Sequence, residues 1–130
     1  STPVPTQTPM YALGVELQLP QWVTPGELFY LDALVYNEYQ DLDNVPLLIA
    51  MQIYESFWFW PEWEQNMSLE NNRINVPYGN TTHSIIPSSP WPDTGNDTMN
   101  EILFWGAMFT PELRTILGGY DVQSFGFGPE

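Results

Sequence analysis

Apolar residues in this chain recur at every second position, in runs cut short by proline, glycine and asparagine. Leu13, Val15, Leu17 and Leu19 alternate with Gly14, Glu16 and Gln18, and Phe29, Leu31, Ala33 and Val35 face away from Tyr30, Asp32 and Tyr36. A period of two places one set of side chains on a single face of a strand, whereas a helix would need apolar residues three and four apart. The turn Thr24-Pro25-Gly26-Glu27 separates the two runs, and Asp41-Leu42-Asp43-Asn44 ends the second. Val45 to Tyr54 is a nearly continuous β-forming stretch, expected to be a central strand that continues through Phe57 to Trp63. Further strands are expected around Arg73 to Val76, Thr82 to Ile86, Glu101 to Phe109 and Tyr120 to Phe127. Pro87 to Asn100 reads as a polar loop, and Pro111 to Leu117 as one helical turn. Seven to eight short strands without a sustained 3.6 period predict an all-β fold, an antiparallel β-sandwich.

The chain has 130 residues, enough for one core, and 43% of them are apolar, enough to fill it. Sixteen acidic residues stand against two arginines, Arg73 and Arg114, and no lysine, giving a net charge of −14. Phosphate backbones are bound through several Lys or Arg contacts, so nucleic acid and anionic lipid are excluded as expected partners. Without cysteine there is no disulfide, thiolate metal site or cysteine nucleophile. The longest apolar runs, Leu47 to Met51 and Phe57 to Trp60, fall far short of the roughly 18 residues of a membrane helix, so no membrane insertion is expected. The sequence starts at Ser1 without a charged and then apolar leader, and carries N-x-S/T triplets at Asn66, Asn80 and Asn96. Together these predict a mature processed chain or an excised fragment of an exported protein, extracellular or on the cell surface.

Residues 1–10, opening STPVPTQTP, form a Thr/Pro-rich extended arm or linker, and residues 11–130 form the sandwich domain. Proline fixes the backbone angle and lacks an N–H, so the arm favours an extended form. An extended arm followed by an apolar strand is suited to adding to a neighbour's open sheet edge, with Val4 and Met10 as its apolar anchors.

Pro25-Gly26-Glu27, a strand ending in Val35-Tyr36-Asn37, and Asn44-Val45-Pro46-Leu47 opening the next resemble the P-G-[DE]…V-x-N pattern of the CARDB modules, Ig-like adhesion domains of secreted prokaryotic surface proteins. Gly106-Ala107-Met108, Tyr120-Asp121-Val122 and Phe125-Gly126-Phe127 resemble the closing strands of domains at the C-termini of large secreted bacterial proteins. The resemblance spans Leu13 to Phe127 and implies an Ig-like sandwich in an extracellular setting; its motifs carry turn and strand grammar and imply no activity.

Catalytic signatures are missing. His83 is the only histidine, no G-x-S-x-G or H-E-x-x-H motif occurs, and no pair among the sixteen acids is marked out for glycosidase chemistry, so the chain reads as a non-enzyme. Asp93, Asn96, Asp97 and Glu101 gather hard oxygen donors around Gly95, a composition suited to Ca²⁺ and equally to a plain turn. The tract Phe57-Trp58-Phe59-Trp60-Pro61-Glu62-Trp63 alternates Phe and Trp, so one pair is expected in the core and the other on the outer face. Trp58, Trp60 and Trp63, extended by Tyr78 and Trp91, thus compete for three roles: a core cover, a contact with a neighbouring protein, or a platform stacking on glycans.

Two functions compete accordingly. The first is a non-catalytic extracellular module working by self-association or by adhesion to other surface proteins, as in a filament subunit. The second is a carbohydrate-binding module joined by its Thr/Pro linker to an enzyme. A Ca²⁺-stabilised spacer is a third. Like-charged subunits repel, so self-assembly would rely on apolar and main-chain contacts and would loosen at low salt.

Overall fold

The computed structural model describes residues 12–66, 72–93, 95 and 97–129. Among these residues nine strands run in the order β1 (Leu13–Gln18), β2 (Trp22–Val23), β3 (Leu28–Asn37), β4 (Leu42–Ile53), β5 (Ser56–Phe59), β6 (Arg73–Val76), β7 (Gly79–Pro90), β8 (Met99–Met108) and β9 (Asp121–Phe127). They form two sheets packed as a sandwich. The smaller has the order β1-β3-β7, the larger β2-β9-β8-β4-β5, and β6 pairs with the first half of β4. Every pairing is antiparallel except the two-residue β2–β9 contact.

The expected faces of β1 and β3 are the observed ones. Val15, Leu17, Phe29, Leu31, Ala33 and Val35 are buried and meet Val45, Leu47 and Ile49 of β4 and Ile102, Phe104 and Phe125 of β8 and β9. Each fully buried large aliphatic or aromatic side chain contributes about 1.5–3 kcal/mol, so this one cluster holds the two layers together.

Three sequence expectations are corrected. The aromatic tract does not continue β4: Tyr54 and Glu55 turn the chain, and β5 returns antiparallel with Ala50 opposite Phe59 and Ile53 opposite Ser56. β7 runs on through Pro87 to Pro90, where a loop was expected. Proline is tolerated there because β7 is an edge strand, whose outer side needs no N–H donor. Residues 111–117 form bends closed by a Phe109–Ile116 bridge in place of a helical turn.

The two motifs behind the family resemblance have local causes. In the turn before β3, the Thr24 N–H donates to Glu27 Oε1 at 2.8 Å and the Glu27 N–H to Thr24 O at 3.0 Å. These bonds hold the exposed Glu27 carboxyl below its ordinary pKa, the main-chain donor of Thr24 being the larger influence. At the other end of β3, the wholly buried Asn37 amide ties the β3–β4 turn to β6.

Candidate functional site

The margins of the two sheets are finished differently. The outer side of β1 is closed: the Val15 N–H donates to Gly119 O (3.2 Å), the Gly119 N–H to Leu13 O (2.9 Å), and the Leu17 N–H to Asp121 Oδ2 (2.8 Å). In the larger sheet, the short β2 caps β9, and β5 is followed by a tight return in which the Phe59 N–H donates to Glu64 O at 2.8 Å. β7 differs. Twelve residues long, it pairs with β3 on one side, and among the described residues no strand pairs with its other side.

Gly79, Thr81, His83 and Ile85 of β7 alternate with the exposed Asn80, Thr82 and Ser84, so the first set points between the layers. Among the described residues, two of the three buried side-chain polar atoms without a partner lie on this strand or just after it: His83 Nε2 and Trp91 Nε1, the third being Asn72 Oδ1. Burial alone lowers the His83 pKa below its ordinary value, because the charged imidazolium would lose water and gain no partner. The consequence for stability has a definite sign. Above about pH 6.5 both folded and unfolded His83 are neutral; as pH falls below that value the unfolded chain takes up the proton first, so stability is lost from there down to the folded pKa. Between pH 7 and 5.5 the melting temperature is expected to fall, and His83→Gln to flatten that slope; an unchanged slope would locate the titration elsewhere.

Beyond Ile85 the edge opens into an apolar cavity of about 480 Å³ at one pole of the sandwich. Its walls come from the end of β7 (Ile86, Ser89, Pro90), the end of β4 (Met51, Ile53), the start of β8 (Met99, Ile102, Phe104) and the end of β9 (Phe125, Phe127). Trp91 forms part of its wall. The main chain of Trp91 is clamped to the Thr24–Glu27 turn by Gly26 N–H to Trp91 O (2.9 Å) and Trp91 N–H to Glu27 O (2.8 Å). Its ring meets Phe29 and Phe125 edge-on at 5.4 and 5.3 Å and Phe127 at 5.0 Å.

The other aromatic candidates separate into two groups. Trp60 and Trp63 pack on the core, with the Trp60 N–H bonded to Ile49 O and the Trp63 ring edge-on to Phe104 at 6.4 Å. Trp58 stands opposite Met51, on the inner side of the edge strand β5 and half-buried. Phe57 and Phe59, stacked at 6.3 Å, take the outer face. Beside them on that face lies Trp105, opposite Ala50, its Nε1 donating to Gln52 Oε1 at 2.9 Å. Sequence reasoning missed Trp105, because Ile102-Leu103-Phe104-Trp105 is apolar throughout and gives no alternation to read. Tyr78 is exposed in the turn before β7, where its N–H donates to Asp41 Oδ1 at 2.9 Å.

In the acidic loop, Asp93 Oδ1 accepts from the Gly95 N–H at 2.9 Å, an Asx-type turn bond. Asp97 is exposed, and Glu101 is exposed in the left-handed region (φ 61°) at a bulge in β8. Among the described residues no three His, Asp or Glu side chains converge as metal ligands. Asn96, like Val4 and Met10, lies outside the described residues.

Neither the protein-family models nor the curated proteins compared with the chain give a match.

Proposed function

We propose that this chain is a non-catalytic structural module of the extracellular adhesion or filament type, whose copies associate through the Thr/Pro arm. The observation that supports the reading most directly is the long edge of β7, unpaired among the described residues and leading into an apolar cavity, in a domain preceded in sequence by a Thr/Pro-rich segment. An exposed strand edge is a template for pairing, and natural domains cover, shorten or charge such edges. Here β1 is closed by main-chain bonds and β2, β5 and β6 are short, whereas the β7 segment Gly79 to Ile86 carries no charged residue apart from the titratable His83. The packing of Trp60, Trp63 and Trp91 against the core favours assembly over a sugar platform, which would need those ring faces free for stacking.

Deletion of residues 1–10 tests the reading. The truncated chain is expected to melt as a folded domain and to sediment as a monomer, where the full chain sediments as oligomers that weaken as salt is lowered. Oligomers of equal size with and without the arm would refute it.

A further inference from the structure

Resting on that reading, we infer that the seat of the arm is the β7 edge and apolar cavity of a second copy, so that copies join head to tail with a fixed polarity.

The first support is the spacing of the prolines. In residues 1–11 they stand at positions 3, 5 and 9, all odd. In an extended strand, the N–H and C=O of alternate residues point to opposite sides. An arm in that form would have one side broken by proline, and a second side on which Thr2, Val4, Thr6, Thr8 and Met10 keep every N–H. Such a segment is built to pair with one edge only and to end the sheet there, because its other side cannot template a further strand. The pairing side belongs to the residues with the better strand propensity, three threonines and a valine.

Chemistry on the receiving edge matches. His83 Nε2 and Trp91 Nε1 are covered yet unpartnered, which is costly for polar atoms unless a bond is completed. Threonine hydroxyls both donate and accept, and so suit either atom. Val4 and Met10 supply apolar side chains of the kind that the walls of Met51, Ile53 and Ile86 bury. Apolar and main-chain contacts of this kind also evade the repulsion between copies of charge −14.

Geometry selects the donor. The arm joins the domain at Ala12, whose carbonyl accepts from the Glu38 N–H at 2.8 Å, on the row where Leu13 pairs Asn37 and Asn37 pairs Gly79. The cavity lies at the opposite pole, on the row of Phe29 and Ser89. Eight residues of β3 separate these rows, about 27 Å. Eleven extended residues span up to about 36 Å, so an arm entering a neighbour at its cavity passes Pro87 and Pro90, which have no N–H to offer, and reaches the Gly79 to Ile86 part of the edge. A chain using its own β7 would instead have to reverse at residues 11–12 and cross from β1 over β3, since β1 and β7 are opposite edges of one sheet. A contact between different surfaces of identical copies does not close on itself as a twofold dimer does, and it yields chains of copies.

The absence of cysteine makes the test clean. In the full chain, Met10→Cys and Ser89→Cys are combined, and mild oxidation is read on a non-reducing gel. A ladder of covalent multimers is expected, and mixing the two single variants should give dimers only. The pair Met10→Cys and Tyr39→Cys, with the second thiol on the arm's own pole, is expected to give no ladder. A Met10–Ser89 bond within one molecule, or equal ladders from both pairs, would overturn the head-to-tail seat. Val4→Asp with Met10→Asp is expected to abolish oligomers without shifting the melting temperature of the domain. If those charges leave assembly intact while deletion of the arm abolishes it, the arm assembles the protein but not through the apolar cavity. If deletion also leaves assembly intact, the proposed function itself fails.

Discussion

Gly118→Ala is expected to destabilise the domain by about 3 kcal/mol, whereas Gly26→Ala, also at a positive φ, should lose only about 1 kcal/mol. Gly118 has φ +73° and Gly26 φ +88°, so alanine is conformationally strained at both. At Gly26 an added Cβ meets nothing within 4 Å. At Gly118 it would overlap the carbonyl of Leu13, a main-chain group that cannot rotate aside as a side chain can. Relief requires β1 to move away from residues 118–119, which breaks the Gly119 N–H to Leu13 O and Val15 N–H to Gly119 O bonds that close this margin. Urea titrations of the two variants, with equal slopes, separate the cost of the dihedral from the cost of the contact. Equal losses would show that the two segments are not pressed together. The functional consequence follows from the asymmetry of the margins: with β1 released, the smaller sheet would have two open edges in place of one, and aggregation should accompany the loss of stability.

The layers of the sandwich were legible in the sequence wherever alternation was clean. Phe29, Leu31, Ala33 and Val35 point inward as the period of two requires, and the turn at Pro25-Gly26 falls where its residue types place it. Legibility failed where local chemistry is neutral and tertiary context decides. Tyr54 and Glu55 are not turn-forming types, yet Tyr54 takes φ 54° because β5 must return along β4. Pro87 and Pro90 signal a loop until it is known that β7 lies at an edge. The close approach of Gly118 to Leu13 joins residues more than a hundred positions apart, and no local pattern encodes it.

The candidate site shows the same division. The aromatic tract announced a division between core and surface, and such a division exists, with Phe57 and Phe59 outside and Trp60 and Trp63 against the core. The open edge was invisible, because an edge is a property of sheet order. Only when β1 is seen to be closed by Gly119 and Asp121, and β9 by β2, does β7 emerge as the long margin left without a partner among the described residues. The proline parity of residues 3, 5 and 9 acquires meaning at that point, since a one-sided strand needs a one-sided vacancy to fill.

Asn37→Leu is expected to cost about 3 kcal/mol, roughly 1 kcal/mol for each of the three bonds that it removes. The Asn37 side chain is wholly buried. Its Nδ2 donates to Gln40 O at 2.7 Å and to Val76 O at 3.0 Å, and its Oδ1 accepts from the Tyr39 N–H at 2.9 Å. Leucine has the same branched heavy-atom skeleton and leaves no cavity, so the loss chiefly measures unsatisfied main-chain groups. Asn37→Asp refines the test: it keeps the acceptor for Tyr39 and aims a carboxylate at two carbonyls, so it should be at least as damaging at neutral pH and should recover in part when acid protonates it. A loss under 1 kcal/mol for both would mean that the turn is held by packing alone. The same amide also bears on assembly. Asn37 pairs with Leu13 and precedes Glu38, whose N–H holds the carbonyl of Ala12, so the turn that it closes fixes the direction in which the arm leaves the domain. Below its lowered melting temperature, Asn37→Leu should therefore assemble more weakly than a variant of equal stability loss at the far pole, a difference that sedimentation at matched concentrations reads directly.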